Sequence, residues 1–232
     1  MSGLEPTDLG RINCLLFDLD GTLADTIELI IFSFQETLRI LELPPRSEAQ
    51  ILSEIGRPLH LQARDIDPQR AEEIFTLYQR LYEQHHDGLV REFPGIRESL
   101  AGLVERGYRL GVVTSKRSSS AGPDLEYFRL EPFFEVVITA DDTSLHKPRP
   151  EPVLEALERL EASPAQATFI GDSPYDLRCA HAARVAAGAV AWGPFARESL
   201  QAEQPDYWIP DPPALLTLFP GMGSAVQTTQ DV

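Results

Sequence analysis

Short apolar runs alternate along this chain with segments whose apolar positions recur at helical spacing. The runs at residues 13–18, 109–114, 136–139, 168–171 and 187–192 have the length and composition of strands buried on both faces. Helical segments at residues 96–106, 151–161 and 177–185 lie among them. Strands that alternate with helices in this way predict right-handed crossovers and a doubly wound, parallel α/β sheet.

Residues 25–90 break the alternation, because they carry apolar stripes at helical spacing but no convincing strand. We predict three amphipathic helices here. The first contains Ile27, the second begins at Ser47 with a capping-box pattern, and the third begins after Asp67 with proline as its first residue. The predicted organisation is therefore a core formed by residues 1–22 and 91–220, a small helical cap domain over residues 23–90, and a disordered tail over residues 221–232.

Composition narrows the classes of ligand. The formal net charge of −16 argues against a nucleic acid as the main partner, since phosphate backbones need a positive surface field. The hydrophobic content of 43% is that of an ordinary soluble protein. A phosphate-containing substrate would require a local inversion of the field, which a bound divalent cation and one or two lysines can provide.

Location and cysteine chemistry give further expectations. No apolar run is long enough to cross a bilayer, and residues 1–11 show no secretory signal, so we expect a cytoplasmic protein without a membrane partner. Cys14 and Cys179 lie in apolar segments, where cysteine usually packs as a small hydrophobe. This setting argues against a disulfide or a zinc site.

Two acids follow the first predicted strand. Asp18 and Asp20 are two residues apart, so their side chains extend to roughly the same side, and Gly21 allows a sharp turn after them. Ligands of open α/β sheets bind beyond the carboxyl ends of the strands, where this pair is placed. The alternative is a strand-to-turn junction with two solvated acids.

Three later segments place polar groups at equivalent points. Thr114 and Ser115 end the second core strand, although a hydroxyl there is also typical of a helix N-cap. Lys147 is followed by Pro148 and Pro150 just before a helix and could lend a positive charge to a phosphate, although loop lysines are usually just solvated. Asp172 ends another strand, and Asp176 lies in the first turn of the next helix, where capping is the competing explanation. Together these strand-end acids predict an oxygen-rich pocket for Mg²⁺.

In this order and context, these motifs resemble those of the haloacid dehalogenase superfamily, from about residue 13 to residue 218. The likeness is to members with a Rossmann-like core and a helical cap after the first motif. It is strongest to the phosphoglycolate-phosphatase-like branch and, within that branch, to bacterial pyrophosphatases. It is carried by Asp-Leu-Asp-Gly-Thr-Leu at 18–23, Ile-Gly-Arg-Pro-Leu at 55–59, Glu-Phe-Pro-Gly at 92–95 and Lys-Pro-Arg-Pro-Glu-Pro at 147–152.

The resemblance implies a role for each motif residue. Asp18 would be the nucleophile that forms an aspartyl-phosphate, and Asp20 would protonate the leaving group and then activate water. Thr114, Ser115 and Lys147 would bind the phosphoryl group, and Lys147 would also neutralise its charge. Mg²⁺ would be held by Asp18, the backbone carbonyl of Asp20, and Asp172, with Asp176 in support.

The implied function is hydrolysis of a small phosphate compound, with pyrophosphate ahead of phosphoglycolate, by a monomer or homodimer. A sugar phosphomutase that resembles β-phosphoglucomutase shares the motifs, and a regulatory protein that binds phosphate esters without turnover is a further alternative. Arg57, in a loop between cap helices, is a candidate for contacting the far end of the substrate. Gly122 and Pro123 depart from the family pattern and predict that the helix after Ser118 starts late or is kinked.

Overall fold

The computed structural model describes residues 12–221, so most of the predicted tail and the N-terminal segment lie outside the described residues. The strands are β1 (Cys14–Phe17), β2 (Ala24–Asp25), β3 (Arg91–Glu92), β4 (Arg109–Val113), β5 (Val136–Ile138), β6 (Ala167–Gly171), β7 (Ala186–Val190) and β8 (Tyr207–Ile209). The helices are α1 (Ile27–Ile40), α2 (Glu48–Leu52), α3 (Leu59–Ile66), α4 (Ala71–Leu89), α5 (Ile96–Glu105), α6 (Ser118–Tyr127), α7 (Glu151–Arg159), α8 (Pro174–Ala183), α9 (Arg197–Ala202) and α10 (Ala214–Leu218).

A parallel sheet of six strands organises the described chain, in the order β5-β4-β1-β6-β7-β8. Its central strand β1 is buried along its whole length, and helices cover both faces of the sheet. The predicted doubly wound, Rossmann-like α/β fold is thus confirmed. The sequence pattern missed the edge strand β8, which has three residues of which two are only partly buried.

In the sequence, the helices α1 to α4 lie between β1 and the remaining strands of the sheet, and we call these four helices the cap. The helices α1 and α4 pack together through Phe34 and Tyr78, whose ring centroids are 4.7 Å apart. Beneath the cap, β2 and β3 form a short antiparallel ribbon at the two points where the chain leaves and re-enters the core. The capping box of α2 forms as predicted, between Ser47 and Gln50.

The cap differs from the prediction in two respects. It contains a further helix, α3, which begins after Pro58 without a side-chain cap and therefore carries no start signal. The next helix, α4, begins at Ala71 rather than at Pro68. The reason is that the Asp67 carboxylate accepts a hydrogen bond from the Gln69 backbone N–H (2.9 Å), which closes a turn between α3 and α4.

The helix after the second motif also corrects an expectation. We expected this helix to start late or to kink, and the late start is wrong, since α6 begins at Ser118. Both the backbone N–H and the hydroxyl of Ser118 donate to Asp141, at 2.9 Å each, and a carboxylate at a helix N-terminus stabilises the first turn. The helix continues through Pro123, which lacks one backbone donor.

Among residues 12–221, no helix has both the length and the hydropathy needed to span a membrane. Cys14 and Cys179 are buried free thiols.

Candidate active site

The register of the central strands places the candidate residues side by side. Phe17 in β1 is paired with Val112 in β4 on one side and with Ile170 in β6 on the other. The loops that follow these three strands therefore leave the same edge of the sheet next to one another. They carry the Asp18, Thr114 and Asp172 motifs, respectively, so residues about 150 positions apart in sequence meet in space.

Lys147 lies between two of the acids. Its Nζ is 2.8 Å from Asp18 Oδ1 and 2.7 Å from Asp176 Oδ1, and the lysine side chain is 1% exposed. Burial lowers the pKa of the Lys147 ammonium, but the charges of Asp176 and Asp18 outweigh it, so the net pKa is raised above its ordinary value. Lys147 is therefore a fixed positive charge beside Asp18.

Asp172 is fully buried next to this pair. Its Oδ1 accepts a hydrogen bond from Thr22 (2.7 Å), whereas its Oδ2 has no hydrogen-bond partner in the described part of the chain. Glycines make room for the carboxylate: a Cβ on Gly21 would lie 2.6 Å from Asp172 Oδ2, and one on Gly193 would lie 2.2 Å from Asp172 Cβ. A buried carboxylate oxygen without a partner is expensive, and it indicates a ligand.

The electrostatics of this cluster favour a cation. Asp18, Asp172 and Asp176 each offer a carboxylate oxygen within 4.8 Å of the others, while Lys147 supplies the one positive charge that contacts them in the described structure. Burial, then the charge of Asp176, raises the pKa of Asp18 to about 7, against the effect of Lys147. Burial, then the charges of Asp176 and Asp18, also raises the pKa of Asp172. Hard oxygen donors with excess negative charge fit a divalent cation such as Mg²⁺.

The clustered acids and the expected metal ligands have Asp18 and Asp172 in common. The expected contribution of Asp20 is its backbone carbonyl, and its side chain lies outside the cluster. Asp176 was expected only in support, yet it is one of the three clustered acids. Its two oxygens have separate contacts: Oδ2 accepts from the N-cap Ser173 of α8, and Oδ1 contacts Lys147. Capping and the candidate site thus use the same side chain.

The two hydroxyl residues after β4 lie at the rim of the same site. Thr114 is 4% exposed, and its Oγ1 accepts a hydrogen bond from the Lys116 backbone N–H (3.2 Å). The Ser115 hydroxyl donates to the backbone carbonyl of Gly56 in the cap, at 2.6 Å. Ser115 therefore joins the core to the cap loop as well as lining the pocket.

The carboxylate of Asp20 lies outside the three-acid cluster and has partners of its own. Thr26 Oγ1 donates to its Oδ1, and Lys116 Nζ is 2.5 Å from the same oxygen. Within residues 12–221, no hydrogen bond or ion pair reaches Asp20 Oδ2. This second oxygen is thus the one available for proton transfer.

A pocket between the core and the cap leads to these groups. Its core side includes Asp18, Asp20, Thr114 and Lys147, and its cap side is lined by both apolar and basic residues, namely Ile30, Phe34, Ile55, Arg57, Leu59, His60, Phe75, Tyr78 and Tyr82. The Arg57 guanidinium pairs with Glu54 and, at 2.6 Å, with Asp65. Arg57 therefore lies at the predicted place, but its charge is already compensated by cap acids.

Several site residues escaped sequence reasoning. Thr22 lies inside the first motif and could have been found there, since a threonine beside two acids is a natural donor. Gly193 and Lys116 carry no signal beyond their proximity to motif residues. Asp124 and His86 were not foreseeable, because they meet only when α4 and α6 pack together, where His86 Nε2 lies 3.0 Å from Asp124 Oδ1.

Comparisons with known proteins agree with this architecture. Residues 15–190 match the family model of the haloacid dehalogenase-like hydrolases. The pyrophosphatase PpaX of Bacillus cereus (strain B4264) is 38% identical over 212 residues, which are 91% of this chain and 98% of that protein. A haloacid dehalogenase-like family hydrolase from Streptococcus pneumoniae has a TM-score of 0.79 at 27% identity and covers 90% of this chain and 99% of its own. A predicted phosphoglycolate phosphatase from Haemophilus somnus has a TM-score of 0.78 at 25% identity, with 90% and 98% covered.

Proposed function

The chain belongs to the haloacid dehalogenase-like hydrolases, and from that premise we propose that it is a magnesium-dependent phosphohydrolase with Asp18 as its covalent nucleophile. One observation carries the proposal. The buried carboxylates of Asp18, Asp172 and Asp176 converge beside Lys147 at the carboxyl end of the sheet, and the sequence elements that bring them there are far apart.

In the first step, a carboxylate oxygen of Asp18 attacks the phosphorus atom, and the bond from phosphorus to the leaving-group oxygen breaks. Asp20, through Oδ2, donates its proton to that oxygen. In the second step, Asp20 takes a proton from water, which attacks the phosphorus of the aspartyl-phosphate and restores Asp18. Each step transfers one phosphoryl group and one proton, so a difficult displacement is divided into two easier ones.

Charge neutralisation accompanies both steps. The Lys147 ammonium lies beside Asp18, where it reduces repulsion between the nucleophile and the anionic phosphoryl group, and the Thr114 hydroxyl donates to a phosphoryl oxygen. Mg²⁺ held by Asp18, Asp172 and the Asp20 carbonyl, with Asp176 in support, would supply further positive charge for the transferring group. Burial of the site strengthens all of these interactions.

Inorganic pyrophosphate is the substrate we propose first, and phosphoglycolate second. The relative from Bacillus cereus is named a pyrophosphatase, and the neighbour from Haemophilus somnus is described as a phosphoglycolate phosphatase. Both compounds are small and keep negative charge on the leaving group. The basic residues Arg57 and Arg117 around the pocket suit such a group. For Arg57 to bind it, the substrate must compete with Asp65.

Purified protein assayed with Mg²⁺ against pyrophosphate, phosphoglycolate and p-nitrophenyl phosphate tests the proposal. We expect phosphate release from at least one of them by the wild type and its loss in Asp18→Asn. Bisphosphate-dependent isomerisation of a sugar phosphate would favour the mutase alternative. Tight binding of a phosphate ester without hydrolysis would favour the regulatory alternative. No release from any substrate by the wild type would overturn the proposed function.

A further inference from the structure

A second group of polar and charged side chains connects Asp20 with the cap. We call it the Lys116 network, and its members are Asp20, Lys116, Asp124, Tyr82 and His86. Lys116 and Asp124 belong to the core, in the loop after β4 and in α6, whereas Tyr82 and His86 belong to the cap helix α4. The motif roles above use only Asp20 from this network.

Lys116 is the centre of the network. Its Nζ lies 2.5 Å from Asp20 Oδ1, contacts Asp124 Oδ2, and donates to the Tyr82 hydroxyl at 2.7 Å. The lysine side chain is 13% exposed, so its charge is largely withdrawn from water. Burial lowers the pKa of Lys116, but the charges of Asp124 and Asp20 raise it by more than burial lowers it. The net pKa is therefore well above its ordinary value, and the lysine stays charged. Because its ammonium contacts two carboxylates, Lys116 links Asp20 to Asp124 and is not a free cation for substrate.

Asp124 is the second carboxylate that contacts Lys116. Its side chain is 1% exposed, and its carboxylate is contacted by Lys116 on Oδ2, by His86 Nε2 on Oδ1 at 3.0 Å, and by the Tyr82 hydroxyl, which donates to Oδ2 at 3.2 Å. A buried carboxylate with this many donors is held in one orientation. It fixes Lys116 Nζ, because the ammonium must remain where both carboxylates can reach it.

The consequence falls on Asp20. Thr26 donates a hydrogen bond to Oδ1 and Lys116 forms an ion pair with it, and a carboxylate held at one oxygen by two partners cannot rotate freely about its last torsion. Its Oδ2 then faces a constant direction, which is the requirement for proton transfer to a leaving group at hydrogen-bond distance. Loss of the Lys116 contact would leave Thr26 alone to orient the carboxyl.

We propose that Asp124 is a positioning residue that, through Lys116, orients the acid–base carboxyl of Asp20, and that His86 and Tyr82 complete this arrangement from the cap. Docking of the cap thereby contributes to the alignment of the proton donor. The inference rests on the proposed function, because it requires that Asp20 protonate the leaving group.

The test uses the dependence of the rate on the leaving group. Departure of an alkoxide, as from phosphoglycolate, needs a proton from Asp20, whereas p-nitrophenolate is weakly basic and leaves without one. The ratio kcat/KM reports the steps up to leaving-group departure and excludes the later hydrolysis that is common to both substrates. In Asp124→Asn, we expect kcat/KM for phosphoglycolate to fall about tenfold or more relative to kcat/KM for p-nitrophenyl phosphate, within the range of general acid catalysis.

Two comparison variants calibrate the result. Asp20→Asn should show the same selective loss, at larger size, and Glu126→Gln removes an exposed charge from the same helix and should leave both ratios unchanged. If Asp124→Asn does not fold, as judged by circular dichroism, His86→Gln decides, with the same selectivity at smaller size.

An equal fall for both substrates, or no fall, in the folded variant would overturn the proposal. If the wild type releases phosphate from none of phosphoglycolate, p-nitrophenyl phosphate and pyrophosphate, it is the proposed function that fails instead.

Discussion

Replacing Asp172 by asparagine should stabilise the protein without metal and abolish its stabilisation by Mg²⁺. Asparagine has nearly the same shape and retains an acceptor for the Thr22 hydroxyl, which donates to Asp172 Oδ1 in the wild type. It removes the negative charge of Asp172, which is repelled by Asp18 and Asp176. It also replaces Oδ2, which is buried without a partner among the described residues. The protein without metal should therefore be stabilised by the substitution.

The size of this effect follows from burial. A buried polar group without a partner destabilises the folded state by about 1–3 kcal/mol, and a charged one by more. In EDTA, Asp172→Asn should thus raise the free energy of unfolding by about 1–3 kcal/mol, which corresponds to roughly 2–12 °C in Tm for a chain of this size. Addition of Mg²⁺ at about 100 times its Kd should stabilise the wild type by about 2.7 kcal/mol and the variant hardly at all.

Urea or thermal unfolding of both proteins, in EDTA and in a Mg²⁺ series, measures both the stabilisation without metal and the response to Mg²⁺. Glu158→Gln is the matched control, because it removes one negative charge from an exposed position on α7 and should respond to Mg²⁺ as the wild type does. If Asp172→Asn destabilises the protein in EDTA, or retains the full response to Mg²⁺, the assignment of Asp172 to a cation site is wrong.

Two further substitutions test the packing and charge of the same site. Gly193→Ala places a Cβ 2.2 Å from Asp172 Cβ, so unfolding experiments should show a loss of about 1–3 kcal/mol in the free energy of unfolding from overpacking, and a weakened response to Mg²⁺. Gly88→Ala is the control, because its new Cβ has no described atom within 4 Å, and it should show neither effect. Lys147→Met leaves two buried carboxylates without their ammonium, and urea unfolding should show a loss of about 3–5 kcal/mol; a loss below about 1 kcal/mol would contradict the charge balance described here.

The core of the fold could be predicted because its strands are short, apolar and buried on both faces. The β1 strand, for example, has four buried residues followed at once by Asp18, and this transition is visible in the sequence. Side chains at strand ends are also predictable in position, because a parallel sheet brings its carboxyl ends to one edge. The juxtaposition of Asp18 with Lys147 and Asp172 follows from that rule together with the family resemblance.

The cap and the finer parts of the site could not be predicted for physical reasons. Helix α3 has no cap residue and only a few apolar positions, so local sequence does not distinguish it from a loop. The Lys116 network forms between two helices whose relative placement depends on tertiary packing. Arg57 was singled out for its charge, but the acids that neutralise it, Glu54 and Asp65, are identified only once the loop is folded.

The central claim is that Asp18 becomes phosphorylated during turnover, and chemical trapping tests it most directly. Protein mixed with Mg²⁺ and substrate is quenched within a turnover and treated with borohydride, which reduces an acyl phosphate to the alcohol and so marks the residue for peptide mass spectrometry. The account predicts conversion of Asp18 to homoserine in the wild type with substrate, and none in its absence or in Asp18→Asn. Substrate hydrolysis at full rate with Asp18 unmodified, or by Asp18→Asn, would contradict it.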